Sequence, residues 1–445
     1  MNPIPKIAEI VSYFKTNWTE LLTIEQLESL CSRLGYHWRA RVLGPGQTIQ
    51  LFLLQILLGN TSCNHLRYYS ELEFGSTAYC DARQRIPLGI FEKLVQEVGK
   101  SIATSNDYNS LWHGHRIFLA DGSGCSMPDT EELREHFGQP GNQRKACGFP
   151  VAHLLVLMNH STGMIQKMIN SPLRTHDLPG TTRLCSELKK GDVVVLDQGF
   201  CSCALILSLS EEDVHSVIRV SPSHNVDFRK SGNDLTKGIR RKRVARLGNY
   251  DQLIEWHKPN RRPKWLSKEE FDSLPDFIVL REVCYNLDRK GFRSDRIILV
   301  TTLNDHEKYS RAAIAELYGM RWEVETNFRH LKLTMKMDAL KCKTVDGVKK
   351  ELCMFALVYN LVRQAMIARA ITYKQPLDRI SFIDTLRWLL ELQSNKHNCP
   401  PIINPFRPGR SVARVVKRRP KAYPRMTSKR KISIGITPKD QLLMA

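Results

Sequence analysis

The sequence has no two cysteines separated by two residues. Its twelve cysteines are scattered, and only Cys201 and Cys203 stand close together. This excludes the paired spacing of a zinc ribbon and the disulfide framework of a small secreted domain. Reduced thiols of this kind serve as small core residues. The N-terminus, MNPIPKIAEIVSYFK, lacks a basic segment followed by an apolar run, so no secretory signal is expected. No uninterrupted apolar run is long enough for a bilayer: residues 51–58 are too few, and Arg363 and Arg369 break residues 354–370. A cytoplasmic location without a membrane partner is expected. Acidic residues are also scarce, 45 against 66 basic ones, giving a formal net charge of +21 and a pI near 9.5. Such an excess favours a polyanionic partner, nucleic acid ahead of an anionic membrane. A basic protein that is merely soluble is the plainer alternative. The 445 residues, 42% hydrophobic, allow two to four structural units with sizeable cores.

Residues 1–110 read as short helices. Thr23 is an N-cap for a helix over 24–34. Gly44-Pro45-Gly46 breaks the chain before a helix over 48–58, a third run covers 63–72, and Pro87 sits near the start of a helix over 88–98. Basic and aromatic side chains suit a helical N-terminal DNA-binding domain, with a packing or dimerisation unit as the equal alternative. From residue 116 the pattern changes. Strands are expected at 116–120, 151–158 and 164–170, followed by a helix at 178–189, a strand at 191–196, a helix at 202–210 and a strand at 215–220. That is the order of an α/β, RNase H-like core, a mixed five-stranded sheet with helices whose first and fourth strands are neighbours. The core divides into 111–220 and 304–370. Between them a β-rich insertion, 221–303, carries a basic run at 229–246 and sets Trp256 and Trp265 among Lys258, Arg261, Arg262 and Lys264. Residues 371–445 form a helical segment and a basic tail. No acidic residue occurs over 407–431, which suits a nucleic-acid-binding arm or a solvated tail.

The stretch LYGMRWEVETNFRHLKL holds Tyr318, Arg321, Glu325 and Lys332, at offsets of three, seven and fourteen residues from the tyrosine. At about 100° per residue these fall within roughly 60° on one helical face. A carboxylate there can hold a divalent metal, and the phenol, guanidinium and ammonium can hold phosphates. Asp121 and Asp197 each follow an apolar run expected to be a strand, so both stand at the ends of neighbouring strands. With Glu325 they can hold two Mg²⁺ ions, which prefer oxygen ligands, with Mn²⁺ able to substitute. One ion would activate the attacking water or 3′-hydroxyl and the other would stabilise the leaving oxygen.

The DGS at Asp121, the DQGF at Asp197 and the Tyr318/Arg321/Glu325/Lys332 spacing resemble the DDE transposases of bacterial insertion sequences, and within them the insertion-sequence-four family. The resemblance covers residues 115–370. It implies that Asp121, Asp197 and Glu325 are metal ligands. It implies that Tyr318, Arg321 and Lys332 contact DNA phosphates near the cut, Arg by a bidentate fork and Lys as a mobile point charge. Gln198 departs from the arginine common after the second aspartate. The resemblance further implies terminal inverted repeats and target DNA as partners, a DNA-bound homodimer, and a tryptophan in the insertion that stacks on a flipped base, with Trp256 first and Trp265 second. Arg261 and Arg262 are expected to contact DNA beside them.

Plainer readings stand beside each. Asp121 and Asp197 precede or approach glycines and suit turns. Glu325 can simply pair with Arg321 or Arg329 at helical spacing. Trp256 can be a core residue, and Trp322 is expected to be packing. The competing functions are a nuclease with the same core but no strand transfer, and a non-catalytic DNA-binding protein derived from a transposase.

Overall fold

The computed structural model describes residues 20–70, 72–104, 110–140, 148–173, 177–221, 224, 226–228, 235–236, 239–286 and 296–391. The basic tail expected over 407–431 lies outside the described residues, as does part of the basic run over 229–246.

Helices form the N-terminal part. Helix α1 (Ile24–Arg33) starts behind Thr23, whose hydroxyl accepts the Gln26 N–H at 3.3 Å. Helix α2 (Pro45–Leu57) begins earlier than expected. Gly44-Pro45-Gly46 opens this helix, because proline at the first helical position needs no N–H partner and already has a helical φ. Helix α3 (Cys63–Leu66) is shorter than expected and passes into a 3₁₀ turn over Arg67–Tyr69. Helices α4 (Ser76–Arg85) and α5 (Leu88–Thr104) follow.

The remaining elements run β1 (Ile117–Ser126), α6 (Glu131–Phe137), β2 (Val151–Asn159), β3 (Ile165–Pro172), α7 (Asp177–Cys185), β4 (Val193–Leu196), α8 (Cys203–Glu211) and β5 (His215–Arg219). Then come β6 (Leu235–Thr236), β7 (Ile239–Gly248), β8 (Asp251–His257), α9 (Lys268–Ser273), β9 (Phe277–Asn286) and β10 (Arg296–Thr301). The chain continues through α10 (Arg311–Gly319), α11 (Trp322–Arg329), α12 (Val345–Thr372) and α13 (Phe382–Glu391). All strands join one mixed sheet in the order β3-β2-β1-β4-β5-β10-β9-β8-β7-β6. Strands β1, β4 and β5 are parallel neighbours, and the other pairs are antiparallel.

Two expectations need correction here. The sheet is not limited to five strands. Strand β10 pairs with the free edge of β5, Leu299 facing Arg219, and the strands of the insertion continue the ladder outward. Its side chains alternate to match both faces, Leu299 entering one core and Val300 the other. Strand β1 also does not end at Asp121. Gly122 and Gly124 suggest a turn, yet they pair with Leu155 and His153 of β2, and the strand runs to Ser126.

Each sheet face covers its own core. One face packs against α1–α6 and α10–α13; the other packs against α7, α8 and the residues around α9. Helix α12 has the length and composition of a membrane span, but 83% of its most apolar window is buried inside the protein. It is the central helix of the first core, touched by α2, α5 and β3. The N-terminal helices thus share a core with the sheet. Helix α5 lies so close to β3 that a Cβ on Gly99 would stand 2.3 Å from the Gln166 carbonyl oxygen.

Candidate active site

Strand register brings the two aspartates together. Ile117 pairs with Val193, Phe118 with Val194 and Leu119 with Val195. The same offset carried onward sets Asp121 level with Asp197. Period-2 alternation fixes the face: Leu119 and Cys125 of β1 and Val195 of β4 enter the core that α10–α13 cover. Asp121, Ser123 and Asp197 therefore point toward those helices.

The quartet does not lie on one uninterrupted α-helix. Helix α10 ends at Gly319, α11 begins at Trp322, and residues His330–Thr334 form a π-helical turn. Met320 and Arg321 keep right-handed helical dihedrals. Their bonds are of the tighter i→i−3 kind, Arg321 N–H to the Tyr318 carbonyl at 3.1 Å and Val324 N–H to the Arg321 carbonyl at 3.1 Å. The four side chains still reach one region, as their contacts with Asp121, Ser123, Asp197 and one another show.

Arg321 is the centre of the arrangement. Its guanidinium lies 3.2 Å from Asp121, 3.9 Å from Asp197 and 3.5 Å from Glu325. Tyr318 donates its hydroxyl to Asp197 at 3.0 Å. Lys332 donates to Ser123 at 3.2 Å, on the same face of β1 as Asp121. Asp121 also accepts the Gly122 N–H at 2.8 Å. Burial raises the Asp121 carboxyl above its ordinary range; the Gly122 N–H and Arg321 oppose this, and Asp197 and Glu325 add to it. Burial likewise raises the Tyr318 phenol, against Arg321 and together with Asp197. For Arg321, burial pulls downward, but Tyr318, Asp197 and Asp121 carry it above its usual value.

The chemistry of the donor set suits a hard divalent cation. Three carboxylates share a single guanidinium, and the buried Arg321 Nε has no hydrogen-bond partner. A cation already sits among these carboxylates, and negative charge remains in excess of it. Among the described residues no three acidic, histidine or cysteine side chains form a closed cage as they stand. Glu325, about half exposed, has Arg321 as its ion-pair partner among the described residues.

The insertion residues divide. Trp256, expected to stack on a flipped base, is 4% exposed in the second core. It stands edge-on to His224, and alternation along β8 turns it inward with Ile254. It offers no free face, so the stacking role is corrected to packing. Trp265 is half-buried at the margin of that core, and Arg261 and Arg262 are exposed in the loop before α9. Arg262 donates to the Leu266 carbonyl. Trp322, expected to be packing, is 53% exposed, with the Arg321 guanidinium 5.4 Å from its ring centre.

Three neighbours were not anticipated from the sequence. Ser123 had a signal, being two residues beyond Asp121 on a strand. Arg219 ends β5 and acts electrostatically on Tyr318. Tyr285 of β9 borders the same region, its phenol pushed by burial to about 12 against the pull of Arg219 and Arg321.

This geometry is accompanied by similarity to known proteins. The family model described as "Transposase DDE domain" matches residues 112–361. The chain is 24% identical over 342 residues to the transposase InsG for insertion sequence element IS4 of Escherichia coli (strain K12), covering 74% of this chain and 71% of that protein. It is 24% identical over 332 residues to a putative transposase for insertion sequence element IS4SA of Synechocystis sp. (strain ATCC 27184 / PCC 6803 / Kazusa), covering 71% and 81%. The cryo-EM structure of a piggyBac transposase synaptic complex with hairpin DNA aligns at a TM-score of 0.41 and 10% identity, over 87% of this chain and 80% of that one. The family match spans more than half of the sequence and contains Asp121, Asp197 and Glu325, and the chain belongs to the DDE-domain family of DNA transposases.

Proposed function

We propose that Asp121, Asp197 and Glu325 are the catalytic carboxylates of this transposase and that they hold two Mg²⁺ ions, for which Mn²⁺ can substitute. The observation that carries the reading is the convergence of all three on Arg321, from two strands and one helix far apart in sequence. Bound divalent ions supply Lewis-acid activation of the attacking oxygen and neutralise charge on the leaving oxygen.

The chain's own groups do the rest. Tyr318, Arg321 and Lys332 bind and orient the phosphates beside the cut, Arg321 through its planar fork and Lys332 as a mobile charge. Tyr318 is a hydrogen-bond donor throughout the neutral range, since its phenol is raised. Arg321 releases part of its hold on the carboxylates as its fork turns to a phosphate. Trp265, Arg261 and Arg262 extend the contact surface along the insertion. The first five strands, in the order β3-β2-β1-β4-β5, fit an RNase H-like core. The element's terminal inverted repeats are the substrate, target DNA receives the 3′-hydroxyl ends, and a homodimer pairs two ends in the bacterial cytoplasm.

The test uses purified protein and duplexes that carry the element's ends. Asp121→Asn, Asp197→Asn and Glu325→Gln are each expected to abolish metal-dependent cleavage and end joining while end binding persists. Cleavage that survives one of these substitutions removes that residue from the site. Cleavage by the unsubstituted protein without joining to target would favour the nuclease.

A further inference from the structure

A second feature lies in the N-terminal helices, away from the carboxylates. Helix α1 stops at Arg33, and Gly35 at φ +74° reverses the chain. The Tyr36 N–H returns to the Cys31 carbonyl at 3.0 Å. The chain then runs without helix until α2 opens at Pro45. Along this stretch Tyr36 and Trp38 are half-buried against the first core, while His37, Arg39 and Arg41 are exposed. The two rings are nearly parallel, at 22°, with centres 6.0 Å apart. Arg85, exposed at the end of α4, forms the facing wall and lies near enough to oppose the rise of the Tyr36 phenol caused by burial. Together they enclose a cleft of about 340 Å³ with no acidic residue among those lining it. Among the described residues, no carboxylate forms an ion pair with Arg39, Arg41 or Arg85.

We propose that this cleft is a DNA-backbone grip, with Arg39, Arg41 and Arg85 neutralising phosphates of the bound duplex and Tyr36 and Trp38 forming its rigid aromatic floor. The proposal rests on the reading of the chain as a DNA transposase and adds the surface that holds duplex outside the catalytic centre. Three guanidinium groups with no paired carboxylate among the described residues call for a polyanion. Exposed arginines two residues apart in this non-helical stretch suit neighbouring phosphates. Aromatic rings lining a cleft together with exposed guanidinium groups suit nucleic acid better than an acidic protein segment. Contacts of this kind give position and affinity without reading sequence.

The test is the salt dependence of duplex binding by the full chain without divalent metal, from 50 to 200 mM salt, by fluorescence anisotropy. One duplex carries the element's end and another of equal length is unrelated. Each lost phosphate contact removes about 0.9 from the slope of log K against log salt. The triple variant R39A/R41A/R85A is expected to lower that slope by about 2 to 3 and to weaken both duplexes by similar factors. The charge-retaining variant R39K/R41K/R85K is expected to keep most of the slope, which separates charge loss from misfolding. An unchanged slope in the alanine variant, with an unaltered melting curve, overturns the proposal. Loss confined to the cognate duplex also overturns it, since that would be base reading. Because no metal is present, the result is independent of the catalytic assignment, which fails only if Asp121→Asn, Asp197→Asn or Glu325→Gln still cleaves.

Discussion

His330, five residues past Glu325, lies flat on Phe382 with ring centres 4.3 Å apart. Burial, then Arg363 and Arg329, lower its pKa to about 4. A histidine with a depressed folded pKa binds its proton more readily when unfolded. Its contribution to stability is therefore complete above the ordinary value of 6.5 and is lost as pH falls toward 4. His330→Phe is expected to flatten the fall in melting temperature across that window; an unchanged profile would assign the acid sensitivity to other groups. Arg321 permits a second measurement. Without its guanidinium, Asp121, Asp197 and Glu325 face one another unscreened. Arg321→Met is expected to lower the melting temperature of the metal-free protein and to be stabilised by added Mg²⁺ more than the unsubstituted chain is. At this scale much was legible: the offsets from Tyr318 to Lys332 pick out four side chains that do converge. Of the two readings of Trp256, packing is the one its burial fits: Lys258, Arg261 and Arg262 suggest a surface, but alternation with Ile254 turns it inward. Trp322 runs the other way: a large apolar ring beside Arg321 suggests packing, yet it is exposed.

Elements fail differently from residues, through the contacts between them. Helix α5 touches β3 backbone to backbone at Gly99. Gly99→Ala should gain about 1 kcal/mol in helix propensity. Overpacking against the Gln166 carbonyl costs about 1–3 kcal/mol, so a lower urea midpoint is expected despite the better helix former. A higher midpoint would mean the helix can shift freely. Glu351 of α12 is a second joint. It is 1% exposed and accepts the Asn60 side-chain amide at 2.6 Å, the Lys341 N–H at 2.9 Å and the Cys342 N–H at 2.9 Å. One carboxylate thus ties α12 both to the loop after the π turn and to the loop after α2. Glu351→Ala leaves one buried and two part-buried donors without this acceptor and is expected to cost about 1–3 kcal/mol, read as a shift in the denaturation midpoint. Element types were largely readable from apolar period and turn residues. Boundaries were not, where pairing overruled local signals: Gly122 and Gly124 look like a turn until β2 supplies partners, and Pro45 looks like a break until α2 begins on it.

For the whole molecule, the two cores make the sheet a wall whose faces are both covered, and the site opens where β1, β4 and α11 meet. A metal that binds only the folded chain stabilises it by about 2.7 kcal/mol at a hundred times its dissociation constant. Mg²⁺ is therefore expected to raise the melting temperature, and Asp121→Asn with Asp197→Asn to remove most of that rise. An equal rise in the double variant would place the ion elsewhere. That the insertion joins the sheet was not legible, because the partner of β10 is β5, far earlier in the chain, and periodicity reports a strand's faces but not its neighbour. That pairing has a polymer consequence. The excursion through β6–β9 leaves at Arg219 and returns at Leu299, directly across the ladder. It is a closed loop, and doubling such a loop adds only about 0.6 kcal/mol of closure entropy. The spacing between Asp197 and Glu325 is thus insulated from the length of the loops within that excursion, which can lengthen at small cost while β8 and β9 keep their places in the sheet and the second core.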